Sequence, residues 1–223
     1  RGAWLGIGAG LGAMLLLTGR RGRVAVLGAA AFVTVFLAAG GLNYTPAPIR
    51  DRFDQILDQV RIFDSRDVLV TNDNFAAVER MAHWQTGAAM FEANPLTGVG
   101  VGNFTTRFPD YYVNPSFAVS RGHAHNYYIH AAAETGVIGL AAYLALVLSG
   151  MWAAILATRR AQDRLGRAIG IGAVGVTTAL VTHNVVENLH VLNLGIQLSA
   201  IWAMAVISYR FLPANVDTKA SRT

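Results

Sequence analysis

The chain is 223 residues long, 53% hydrophobic and only 14% charged, with a mean hydropathy of +0.39. Soluble domains carry about 25% charged residues, and the deficit here lies in runs, which excludes an ordinary soluble domain and points to membrane spans. The formal charge of +5 sits in short Arg clusters beside those runs rather than on a nucleic-acid-binding patch, and the absence of cysteine excludes disulfides and thiolate metal sites.

The chain starts at Arg1, without Met, directly into an apolar run, and reads as the C-terminal half of a longer membrane protein. Five apolar stretches follow: Gly2 to Thr18, Val24 to Leu42, Ile129 to Ala157, Ala168 to Val186 and Val191 to Phe211. Each approaches the ~20 residues that cross ~30 Å of hydrocarbon as a helix. The glycines of the first stretch (Gly2, Gly6, Gly8, Gly10, Gly12) predict a close helix–helix face. Arg20, Arg21 and Arg23 follow the first stretch, and Arg159, Arg160, Arg164 and Arg167 follow the third. Placing both clusters in the cytoplasm puts the segment between the second and third stretches outside. From 43 to 124 that segment carries seven Arg against nine Asp and Glu, a net charge of −2, as expected for the non-cytoplasmic side.

The resulting division is two transmembrane helices over 1–42, an extracytoplasmic loop over 43–128, three transmembrane helices over 129–212 and a cytoplasmic tail over 213–223. A loop of that length is more than a connector. From Arg50 to Phe63, Phe53, Ile56, Leu57 and Val60 share one face at helical spacing, which predicts an amphipathic helix. A second helix is predicted from an Asn74 N-cap to Ala93 and carries Arg80, His83 and Trp84 within a turn of one another. The segment Asn94 to Phe104, with Gly98, Gly100 and Gly102, reads as a tight turn whose glycines allow close backbone approach. No strand–turn–helix context supports a nucleotide reading of it.

The densest stretch is Arg121-Gly122-His123-Ala124-His125-Asn126-Tyr127-Tyr128-Ile129-His130, then Glu134 and Gly136. With a helix starting near His125, the residues Asn126, His130 and Glu134 descend one face. An ionisable Glu134 two turns into a span is a functional candidate. His123-x-His125 with His130 admits a metal reading, but the HxH spacing suits a strand and no carboxylate obviously completes the set. General acid–base work at a sugar or phosphate is favoured. A fainter echo, Thr182-His183-Asn184-Val185-Val186-Glu187-Asn188-Leu189-His190, places His183 and Glu187 one turn apart on the same side of the membrane as the loop.

Taken together, Arg1-Gly2-Ala3-Trp4-Leu5-Gly6, Arg80 with Trp84, the Pro95-Leu96-Thr97-Gly98-Val99-Gly100 turn leading to Phe104, and His123-Ala124-His125-Asn126 with Glu134, Gly136, Gly139 and Leu140 resemble the O-antigen ligase superfamily. That superfamily also includes O-antigen polymerases and protein O-oligosaccharyltransferases. The resemblance implies an all-α, GT-C-like polytopic membrane protein of about five transmembrane helices with one large, mostly helical extracytoplasmic loop. It implies transfer of a glycan from an undecaprenyl-diphosphate donor to a lipid, glycan or protein acceptor outside the cytoplasmic membrane, with neither metal nor cofactor. His125 is then the catalytic histidine, with His123 in reserve and Glu134 beside them. Arg1 and Arg80 bind the diphosphate, and Arg121, Asn126, His130, His183 and Glu187 complete the substrate site. The rival class is a transporter or channel, which would place its key residues near the bilayer midplane. The enzyme reading requires Arg1, Arg80 and His125 to converge.

Overall fold

The computed structural model describes residues 2–51, 61–120, 122–190 and 193–210. Among them there is no strand. The helices are α1 (Gly2–Leu17), α2 (Arg20–Ala38), α3 (Phe75–Ala93), the single turn α4 (Phe104–Arg107), α5 (Tyr127–Arg160), α6 (Arg164–His183) and α7 (Leu194–Arg210). Three of them, α2, α5 and α6, are long and apolar enough to cross a membrane, whereas α1 and α7 are apolar helices of 16 and 17 residues. The amphipathic helix expected over Arg50–Phe63 falls mainly on 52–60, outside the described residues; 47–51 are helical and 61–63 are not.

The bundle is built on small residues. Gly2, Gly6 and Gly10, one turn apart, are buried where α1 crosses α6. A methyl group on Gly6 would stand 2.8 Å from the Ala179 carbonyl oxygen, and one on Gly10 would stand 2.6 Å from that of Gly175. Gly8 and Gly12 face open space, so of the five expected glycines only the three spaced four residues apart make the contact. Ala154, Ala157, Ala173 and Ala205 lie in one buried cluster that packs α5, α6 and α7 together. A buried hydrogen bond from Trp202 Nε1 to Thr177 Oγ1 (2.9 Å) links α7 to α6. In an apolar medium such a pair contributes ~0.6 kcal/mol on average. Asp163 turns α5 into α6, its Oδ1 accepting from the Gly166 amide at 2.6 Å.

In the loop, α3 is the organiser. Its buried face (Val78, Ala82, Met90) packs against Phe117 on one side and against Phe104 and Phe108 on the other. Gln85 and Asn114 hold the segment before α3 by side chain–backbone bonds to Phe63, Ser65 and Val68. Asn74 stands at the helix start as expected but does not cap it. Its Oδ1 accepts from the Thr71 amide at 2.7 Å, so it closes the preceding turn instead.

Loop and bundle are joined at a break in α5. Gly136 has φ 61° and ψ −163°, and the helical bonds from Val137 to Ala133 and from Ile138 to Glu134 are replaced. The turn at Pro95–Gly100 enters the gap. Val99 and Gly100 donate to the carbonyls of Ala133 and Glu134 (both 2.9 Å), and Val137 and Ile138 donate to those of Pro95 and Leu96 (2.8 and 3.4 Å). Glycine is required on both sides. A side chain on Gly98 would collide with the Glu134–Thr135 peptide, and one on Gly136 with the Leu96–Thr97 peptide. The 24 residues beyond the break rise about 36 Å, enough to cross ~30 Å of hydrocarbon unaided. The nine residues before it, holding His130 and Glu134, need not lie at hydrocarbon depth.

Gly136→Ala combines left-handed backbone strain of ~1–3 kcal/mol with overpacking of similar size. It is expected to destabilise the full-length protein by about 2–5 kcal/mol. Gly12→Ala should stay within ~0.5 kcal/mol, and thermal unfolding in detergent distinguishes the two.

Candidate active site

Asn126 begins the site. Its Oδ1 caps α5, accepting from the Tyr128 and Ile129 amides (2.9 and 3.1 Å). Its Nδ2 donates to the Val185 carbonyl at 2.8 Å, and the Tyr127 amide donates to the Asn184 carbonyl at 2.9 Å. These two bonds clasp the loop's exit to the turn after α6, which brings the two histidine-bearing motifs together. Both ends of the Asn126 amide are thus occupied by the protein.

On that clasp, His125 adopts φ 53°, left-handed backbone that is uncommon for a non-glycine residue and found often at functional sites. Its carbonyl accepts from Trp84 Nε1 at 3.0 Å, and its amide donates to His123 Nδ1 at 3.2 Å. The reversal turns the two rings face to edge, with centroids 4.5 Å apart. Glu187 reaches both: its Oε1 is 3.3 Å from His125 Nδ1 and 3.6 Å from His123 Nδ1. Burial pushes the Glu187 carboxyl up, but hydrogen bonds from His125 and the Asn188 amide and the two neighbouring imidazoles outweigh it, leaving its pKa at about 2. His123 is held below the usual histidine value, chiefly by burial and then by His125. A carboxylate beside Nδ1 favours the His125 tautomer that carries its proton there, which leaves the lone pair on Nε2. That atom is buried and makes no hydrogen bond among the described residues.

The remaining predicted residues distribute around this dyad. His130 Nε2 is 3.7 Å from Glu134 Oε2, as the helical stripe required. Glu134 Oε1 accepts from the Phe104 amide at 2.9 Å, tying α4 to α5, and the Phe104 ring lies 4.8 Å from that of His130. His183 lies against the first turn of α1, where a methyl group on Gly2 would meet its ring at 2.8 Å. Arg80 sits on α3 one turn before His83 and Trp84, both of which meet His125. Arg1 and Arg121 lie outside the described residues.

Three contributors were not legible as such. His83 is fully buried, its Nδ1–H donating to the Glu79 carbonyl (2.8 Å) and its ring 5.4 Å from that of His125. Tyr143 accepts from Asn184 Nδ2 (3.1 Å) and its hydroxyl is hydrogen-bonded to His190 Nε2 (3.0 Å), while the Tyr127 ring lies tilted against His190 with centroids 4.2 Å apart. This aromatic group anchors the turn carrying Glu187. The spacing of Arg80, His83 and Trp84 on one helical face was a usable signal. Nothing local in the sequence marks Tyr143, and His190 stands only as the end of the polar segment from Thr182.

Residues 1–144 of the chain match the family model described as O-Antigen ligase. No curated protein matches the chain.

Asn126→Ala removes a cap (~0.5–2 kcal/mol) and the bond to Val185 (~0.5–1.5 kcal/mol). A loss of about 1–3 kcal/mol is expected by thermal unfolding. Asn126→Ser, which keeps a capping oxygen and loses the bond to Val185, should lose less.

Proposed function

We propose that this chain, which belongs to the O-antigen ligase family, transfers a glycan from an undecaprenyl-diphosphate carrier to an acceptor hydroxyl, with His125 as general base and Glu187 as its positioning partner. The observation that carries this reading is the His125–Glu187 pair: a carboxylate fixed on Nδ1 leaves a buried, unengaged Nε2 lone pair. That arrangement sets the imidazole tautomer and stabilises the imidazolium formed on proton uptake.

The step balances without a further reactant. The acceptor oxygen forms a bond to the anomeric carbon while its proton passes to His125 Nε2. The bond from that carbon to the phosphate oxygen breaks, and the diphosphate departs with the electron pair. Guanidinium groups stabilise the charge that grows on it bidentately, and Arg80 and Arg1 are assigned that role, with Arg121 beside them. Arg80 shares the α3 face that meets His125, and the residue after Arg1 touches His183 next to the Glu187 turn. Glu134 and His130 act behind the site, holding α4 against α5. His183 packs against the first turn of α1 beside the turn carrying Glu187. A diphosphate held by arginines needs no metal.

A polyprenyl tail remains in the bilayer, so the reacting carbon must be met at the membrane surface. The break at Gly136 supports that depth, since the span completes below it. The described histidine and carboxylate pairs gather at the loop end of the bundle rather than along its middle, which favours transfer over a transport pathway. The family covers ligases and polymerases, and we assign the active loop to the outer face of the cytoplasmic membrane on the Arg asymmetry.

His125→Ala is expected to lower glycan transfer by ~10²–10⁴-fold while the protein stays in the membrane and lipid-linked glycan accumulates. Glu187→Gln should lower kcat with little change in KM for the donor. Arg80→Ala should raise donor KM, and Arg80→Lys, which keeps the charge and loses the fork, should restore it only in part. Unchanged transfer by His125→Ala sinks the assignment.

A further inference from the structure

The pair that serves as base has a third member that transfer does not use. His123, His125 and Glu187 each offer a donor atom within 4.8 Å of the others, and Glu187 Oε1 lies 3.3 Å from His125 Nδ1 and 3.6 Å from His123 Nδ1. Around a tetrahedral Zn²⁺ with bonds of ~2.0–2.1 Å, donor atoms stand about 3.3–3.4 Å apart. Two imidazoles and a carboxylate are a zinc-type donor set. The side chains of His123, His125 and Glu187 are 27%, 22% and 39% exposed, so an ion can reach them and a water can fill the fourth position.

The left-handed backbone at His125 makes the cluster possible. In an extended HxH segment alternate side chains share a face at strand spacing, whereas here the reversal closes the rings on each other. The bond that His123 Nδ1 accepts from the His125 amide shows a lone pair on that nitrogen, with the ring proton on Nε2. Metal binding displaces that amide contact and the His125 Nδ1 proton.

We propose that His123, His125 and Glu187 form an inhibitory site for a zinc-type dication. The inhibitory half rests on the reading of His125 as base. When the metal takes Nδ1, the neutral ring carries its proton on Nε2, and the atom that would accept the acceptor hydroxyl's proton becomes a donor. The carboxylate that stabilised the imidazolium is taken up as well. Occupation silences transfer without touching the diphosphate-binding arginines. Mg²⁺, which prefers octahedral oxygen ligands and keeps its waters, does not substitute.

The full-length protein in detergent, stripped with EDTA, is titrated with Co²⁺ while visible absorption is recorded, then with Zn²⁺ in competition. One equivalent of Co²⁺ should give the bands of a low-coordinate nitrogen–oxygen site, which Zn²⁺ abolishes. His123→Ala and Glu187→Gln should each weaken Co²⁺ binding by more than ~10-fold, whereas Glu92→Gln, at an exposed carboxylate of α3, should not. In parallel, Zn²⁺ should inhibit glycan transfer over the same concentration range, reversibly with EDTA, and Mg²⁺ should have no effect. No stoichiometric Co²⁺ spectrum, or one that survives both His123→Ala and Glu187→Gln, overturns the site and leaves the base role of His125 standing. A spectrum as expected with transfer unimpaired at saturation overturns the inhibitory proposal and the base role together.

Discussion

Everything in this molecule depends on the exchange of backbone hydrogen bonds at Gly136. A helix interrupted near a membrane strands carbonyls and amides, and each unsatisfied group at hydrocarbon depth costs several kcal/mol. Here the stranded groups of Ala133, Glu134, Val137 and Ile138 pair with the Pro95–Gly100 turn. The loop is therefore inserted into the bundle rather than resting on it. The bonds run through main chain, so the junction tolerates no side chain at Gly98 or Gly136 but makes few demands on the others. Glu134, next to the break, takes the Phe104 amide as well and extends the same joint into α4.

The second joint, at Asn126, does for the chemistry what the first does for the architecture. It brings a segment just before α5 against one just after α6, 59 residues apart in sequence. The His125–Glu187 pair exists only because of that clasp. Trp84 fixes the same turn from α3 through the His125 carbonyl. The imidazole is thus located by the loop from one side and by the bundle from the other, and its strained backbone is held by contacts on both.

Helical periodicity and hydropathy made the helices legible in sequence, and α3 was legible almost to the residue. So was the stripe of Asn126, His130 and Glu134, because a helix fixes that spacing by itself. The break at Gly136 was not legible. Gly136 reads as one more glycine in a span rich in small residues, and the helical pattern continues through it. The closeness of Gly98 to another backbone was anticipated, but not which backbone. Glu187 was read as a substrate ligand because its partner lies on another helix, and periodicity carries no information about pairing between elements. The same reason hid Tyr143 and His190. In sequence alone, His123 and His125 lack a nearby carboxylate and show strand-type spacing, both of which argue against a metal. Both grounds change once a distant turn delivers Glu187 and the backbone reverses at His125.

One consequence follows from where α5 is interrupted. The loop is pinned to the span at Gly136, so its height above the lipid is dictated by a rod about 36 Å long and not by how well its own aromatics float among headgroups. In a thicker or thinner bilayer the rod must tilt or the lipids must stretch. The imidazole, its carboxylate and α3 would rise or sink together, keeping their mutual spacing while their distance to a lipid-borne substrate changes. Membrane thickness then acts on how substrate is presented, not on the internal alignment of the groups that receive it.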